Sequence, residues 1–147
     1  MRCDPVDVLL VEDSVDDIEL FSLAISRVNA PMRLARVADA DEALLYLEQK
    51  APYRQARLPH MLVLDINLPK RNGIELLKEI KRQPKWRTIP VVMLSTSDSL
   101  EEIGQSYCEG ASCYLTKPAD LPGWLNLVEA MAKLWTRVDL ASGYVCR

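Results

Sequence analysis

Short apolar runs alternate along this chain with longer stretches in which apolar residues return every three or four positions. The runs Asp7–Val11, Arg33–Val37, Met61–Asp65, Pro90–Leu94 and Ser112–Thr116 are too short for buried helices and are bounded by turn formers, so they read as strands. The periodic stretches read as helices. Ser14 caps the first, from about Val15 to Ala30, with Asp16 and Asp17 in its first turn and Pro31 as its stop. Asp39 caps the second, through Leu44 and Leu47 to Gln49. The third runs from Gly73 to Gln83, with Ile74, Leu77 and Ile80 on one stripe and Pro84 after it. The fourth spans Leu100–Glu109 and closes on Gly110, and Asp120 caps the last, from Leu121 to about Val138. Near-continuous apolar strands separated by helices specify a parallel sheet covered on both faces, a doubly wound α/β domain of five strands and five helices.

One run poses a chemical question. Met61-Leu62-Val63-Leu64 ends on Asp65, and a carboxylate cannot close a buried strand without water, a cation or hydrogen-bond donors. The other strands answer it. Glu12-Asp13 follow the first, Ser95-Thr96 the fourth and Lys117 the fifth, and the carboxyl ends of strands in such a sheet form one binding edge. Three carboxylates together raise one another's pKa unless a cation joins them. Mg²⁺ suits oxygen donors, so Asp13 and Asp65 are expected as ligands, Glu12 through water, and Asn67 by its backbone carbonyl. An aspartate beside Mg²⁺ and an ammonium can attack phosphorus, with Mg²⁺, Lys117 and the Ser95 hydroxyl taking the phosphoryl oxygens. Pro69 stiffens the turn after Asp65, Gly73 frees the backbone where the next helix begins, and a cis Lys117-Pro118 bond would aim the ammonium inward.

The stretches "VLLVEDS", "LVLDINLPKRNG", "IPVVMLSTS" and "GASCYLTKP" resemble, in order and spacing, the receiver domain of two-component response regulators over roughly residues 6 to 135. The resemblance implies the receiver fold, a flavodoxin-like doubly wound five-stranded parallel sheet with five helices. It further implies that Asp65 accepts a phosphoryl group from a histidine kinase, that Glu12 and Asp13 form the acidic pair, and that Ser95 and Lys117 are the switch hydroxyl and the lysine of the site. Tyr114 falls on the family's rotating aromatic position; it also reads simply as a strand tyrosine with its hydroxyl at the surface. "DINLPKRNG", "LSTS" and "CYLTKP" are similar to the small stand-alone regulators paired with phytochrome-type histidine kinases. Such a protein is a phosphoacceptor, not an enzyme, with at most slow loss of its own phosphoryl group.

The receiver is expected over residues 1–138 with a short tail, 139–147, and no effector domain. Output would then pass through surface contacts. The last helix is apolar on most of its circumference, with Leu125, Val128, Ala132 and Trp135 facing the core. Its second face, Trp124, Leu127, Met131 and Leu134, is expected to form a homodimer contact.

Composition trims the alternatives. The chain has 147 residues and a net charge of −3, enough for one domain and without the basic field that non-specific nucleic-acid binding needs. The basic run from Lys78 to Arg87 reads as a solvated helix face, Trp86 within it as a loop anchor, and His60, the one histidine, as a surface residue. Apolar runs are too short for a membrane span, and Met1-Arg2-Cys3-Asp4 opens no signal peptide, so a cytoplasmic location is expected. The four cysteines (Cys3, Cys108, Cys113, Cys146) lack metal-ligand spacing and read as reduced thiols. A haloacid-dehalogenase-type phosphohydrolase would share the Mg²⁺, aspartate, serine and lysine, but such enzymes carry a general acid two residues after the nucleophile, where this chain has Asn67. A flavodoxin-like FMN binder would need a phosphate cradle where Glu12 and Asp13 stand.

Overall fold

The computed structural model describes residues 5–142, with the backbone alone described for 134–142. Five strands, β1 (Val6–Val11), β2 (Met32–Val37), β3 (Met61–Asp65), β4 (Val91–Ser95) and β5 (Cys113–Thr116), form one sheet in the order β2-β1-β3-β4-β5, all neighbours parallel. The helices are α1 (Val15–Arg27), α2 (Ala40–Leu47), α3 (Gly73–Arg82), α4 (Leu100–Cys108) and α5 (Leu121–Ser142).

Side-chain alternation along the strands divides the core in two. Leu9, Val11, Leu62, Leu64 and Met93 point to the face covered by α2 and α3, joined there by Trp86. Val8, Leu10, Val63, Val92 and Leu94 point to the face covered by α1 and α5. The three inner strands are buried almost throughout, whereas the edge strands β2 and β5 are half-exposed. Register then aligns the site. Val11 pairs with Leu64, Asp65 with Leu94 and Ser95 with Thr116, so Glu12, Asp65, Ser95 and Lys117 lie within about one residue of a common line across the sheet.

Helix ends follow local chemistry. Ser14, Asp39, Asn72 and Ser99 each accept a bond from the backbone N–H three residues on. α1 stops at Arg27, before the expected Ala30, because Asn29 turns left-handed (φ 52°) ahead of Pro31. α2 ends at Leu47 in the same way, at Gln49 (φ 56°). Gln83 is extended, as the residue before Pro84 must be.

Two expectations are corrected. The cis peptide bond among the described residues is Ala51-Pro52, and Lys117-Pro118 is trans; Lys117 reaches the site without it because β5 ends level with β4. On α5, Trp124 and Met131 belong to the core and not to a second, outward face. Trp124 is fully buried, its ring centroid 5.7 Å from that of Phe21, and Met131 lies in the same cluster. Leu127 is half-buried against that cluster, while the exposed residues on these turns are Asn126, Glu129, Ala130 and Lys133. The polar ones among them form a narrow stripe, and the side opposite it, Trp124, Val128 and Met131, is the one that packs inward, with Leu125 and Ala132 only half-buried beside it. The side chains of Leu134 and Trp135, and all of Cys3 and Cys146, lie outside the described residues.

Candidate functional site

Asp65 ends β3 with its side chain almost wholly buried. Its Oδ1 accepts the backbone N–H of Asn67 at 3.1 Å, which fixes the carboxylate against its own turn. That turn is tight: the Gly73 N–H donates to the Ile66 carbonyl at 2.8 Å, and a Cβ at Gly73 would stand 2.2 Å from the Asp65 carbonyl oxygen. Gly73 is therefore needed for close approach of α3 to the strand end. The left-handed residue of the turn is Lys70 (φ 68°), not Gly73.

Glu12 is 1% exposed, and its Oε2 accepts the N–H groups of Asp13 and Ser14 at 3.1 and 3.2 Å. Its Oε1 is buried, accepts no hydrogen bond, and lies 2.6 Å from the Lys117 ammonium in a contact off the hydrogen-bonding direction. Burial first, and then the neighbouring Asp65 carboxylate, push Glu12 up to about 7 against the pull of Lys117.

Lys117 Nζ also donates to Asp17 Oδ2 at 2.8 Å and to Asp65 Oδ2 at 3.2 Å. Burial opposes its charge, but the hydrogen bond to Asp17, the close contact with Glu12 and the charges of Asp65 and Glu12 outweigh burial and raise its pKa. Three carboxylates thus share one ammonium. Asp17 was visible in the sequence only as a first-turn acid of α1.

Glu12, Asp13 and Asp65 offer carboxylate oxygens that all lie within 4.8 Å of one another, with Asp13 exposed at the rim. An all-oxygen donor set with one unbonded buried oxygen, Glu12 Oε1, fits a hard divalent cation.

On the other flank, Ser95 is fully buried and its Oγ accepts the Ser97 N–H at 3.1 Å. The Lys117 N–H donates to the Ser95 carbonyl at 2.7 Å, tying β5 to β4 beside the site. The Tyr114 hydroxyl is not free at the surface: it donates to the Ser97 carbonyl at 2.8 Å, joining β5 to the loop after Ser95. Trp86 is a buried anchor, and Lys81 spends its ammonium on the carbonyls of Arg87 and Ile89 at 3.0 and 2.9 Å. Half-exposed His60 accepts the Asp7 N–H on its Nδ1 at 2.9 Å, at the opposite end of the sheet from Asp65.

A parallel sheet of this order, with acids, a hydroxyl and an ammonium on one edge, defines a phosphoacceptor signalling domain. The chain belongs to the response regulator receiver domain family, whose model matches residues 8–129. It is similar to Response regulator Rcp1 of Synechocystis, 35% identical over 131 residues that cover 89% of each chain. Among solved structures it is similar to the phosphorylated cyanobacterial phytochrome response regulator RcpA, with a TM-score of 0.82, 39% identity and coverage of 89% of this chain and 94% of that one. The Mn²⁺-bound form of Rcp1 gives a TM-score of 0.81 at 35% identity, again over 89% and 94%. The protein is a receiver-domain response regulator, a class typically made of phosphoacceptors that bind a divalent metal. The phosphohydrolase alternative finds no support in these relationships. No helix among the described residues is long and apolar enough to cross a membrane.

Proposed function

We propose that Asp65 accepts a phosphoryl group from a sensor histidine kinase, with Mg²⁺ as the cation, and that the modification changes the surface built by the β4–α4 loop, α4 and β5. One observation carries this reading: Lys117 Nζ lies 3.2 Å from Asp65 Oδ2 beside the Glu12 and Asp13 carboxylates. An Asp65 oxygen attacks phosphorus as the P–N bond to the donor imidazole breaks, and the imidazole leaves with the electron pair. Lys117 neutralises one phosphoryl oxygen and the Ser95 hydroxyl donates to another. Asp13, Asp65, Glu12 and the Asn67 carbonyl would hold Mg²⁺, which supplies positive charge to the phosphoryl oxygens when bound.

The adduct adds about two negative charges and three acceptor oxygens. The Ser95 hydroxyl that donates to them also accepts the Ser97 N–H, and Ser97 is the residue to which the Tyr114 hydroxyl is bonded. Asp65 and β5 are thereby linked through two hydrogen bonds. The likeness to a phytochrome response regulator supports a phytochrome-type kinase as donor.

The test is incubation with acetyl phosphate and Mg²⁺ followed by intact mass. A single acid-stable, base-labile phosphoryl adduct, absent in Asp65→Asn, is expected. An adduct retained in Asp65→Asn would overturn the site, and transfer from other histidine kinases but none from a phytochrome-type kinase would overturn the donor.

A further inference from the structure

The mechanism above uses Lys117 as a counter-charge for Asp65, yet the closest hydrogen bond of that ammonium runs elsewhere. Lys117 Nζ donates to Asp17 at 2.8 Å and to Asp65 at 3.2 Å. Asp17 belongs to the first turn of α1, and its side chain is about one-quarter exposed, well outside the buried floor formed by Glu12 and Asp65. The bond joins residues 100 apart in sequence and ties the end of β5 to the start of α1. Asp17 is not needed as a helix cap, because Ser14 already accepts the Asp17 N–H.

We propose, building on the assignment of Asp65 as phosphoacceptor, that Asp17 is a positioning residue that holds Lys117 in the unmodified protein and competes with the phosphoryl group for it. An ammonium has three N–H donors, and three carboxylates stand within 3.2 Å of this one, two of them as hydrogen-bond acceptors. A phosphoryl group on Asp65 brings new anionic acceptors to the Asp65 side of the ammonium, so the shift of Lys117 toward them weakens its bond to Asp17. The first turn of α1, with Val15 exposed beside it, then loses its tether to β5. By reciprocity, whatever holds that turn down in the tethered position disfavours the phosphoryl state by the same factor.

The experiment compares the wild type with Asp17→Asn, Asp17→Glu and Asp16→Asn. Asp16 is an exposed acid in the same turn, and none of the ion pairs of Lys117 involves it, so Asp16→Asn removes the same charge without the contact. Calorimetric titration with beryllofluoride and Mg²⁺ replaces the phosphoryl group by a stable mimic at equilibrium. Asp17→Asn is expected to bind it about two- to fivefold more tightly than Asp16→Asn does, the range of one partly exposed ion pair. Asp17→Glu should return toward the wild type. Amide exchange across residues 15–20 gives a second readout: it should quicken on beryllofluoride binding in the wild type and be already quick, and unchanged, in Asp17→Asn. Equal effects of Asp17→Asn and Asp16→Asn would reduce Asp17 to bulk charge, and weaker binding in Asp17→Asn would make it an anchor and not a competitor; either overturns the proposal. Failure of the wild type to take up the mimic would overturn the phosphoacceptor reading and this inference together, whereas uptake without an Asp17 effect overturns the inference alone.

Discussion

Gly73 shows how a single missing side chain sets the geometry of a charged site. The Asp65 carbonyl occupies the space that a Cβ there would need, and that carbonyl belongs to the residue proposed as phosphoacceptor. Gly73→Ala must push α3 away from β3 or displace Asp65, at about 1–3 kcal/mol or more of stability. Urea unfolding should show that loss, and labelling by acetyl phosphate should fall with it. Glu12 carries a different burden. Its carboxyl is raised from the ordinary 4.5 to about 7 by burial and by Asp65. Between those values the folded protein binds a proton that the unfolded chain has released. The associated stability is therefore complete below about pH 4.5 and declines as pH rises through about 7. Metal-free protein should lose urea resistance over that window, and Glu12→Gln should flatten the slope. Because a cation binds the ionised form, Mg²⁺ affinity should increase over the same window, which calorimetry would register.

At the scale of elements, the site draws on unequal parts. Glu12 and Asp65 close β1 and β3, which are buried on both faces, whereas Lys117 follows β5, a half-exposed edge strand. α4 beside it is held lightly: Ser106 is its one buried residue, and Leu100 and Tyr107 are largely exposed. Local opening should concentrate there, so amides of β5 and α4 are expected to exchange faster than those of β1 and β3. Lys117→Ala should still permit slow phosphorylation at Asp65 but leave β5 and α4 exchange unchanged by it, a loss of coupling visible in the same exchange experiment. Strands and strand ends were legible in the sequence because buried parallel strands are short, continuous and apolar, and β3 shows it best, running from Met61 to Asp65 as expected. Helix ends were less so. Asn29 and Gln49 take left-handed turns that no periodicity announces, which is why α1 and α2 stop early.

For the whole molecule, the harder question was how the layers face one another. α5 is apolar on most of its circumference, so its inward side was marked only by the narrow polar stripe opposite it, Asn126, Glu129 and Lys133, and packing against Phe21 shows that Trp124 points in. Asp17 was hidden for a related reason: which first-turn acid meets a lysine from the far end of the chain depends on how α1 and β5 are set against the sheet. Trp124→Ala should accordingly act on folding. A loss of about 3–5 kcal/mol is expected for a buried tryptophan, read as a lower thermal midpoint with no change in elution volume of the protein that remains folded. A stable protein that merely changed oligomeric state would contradict the core assignment.

The order of the strands has a consequence for synthesis. β1 lies between β2 and β3, so a nascent chain that has just completed α3 already holds three neighbouring strands and both buried acids, Glu12 and Asp65. The ammonium that neutralises them comes 52 residues after Asp65. At common elongation rates of roughly 5–20 residues per second the ribosome needs several seconds to supply it. During that interval the half-built sheet has to keep its acid pair protonated, wet or bound to a cation from the surrounding solution. The finished protein takes over with Lys117 a charge that its growing chain must first borrow.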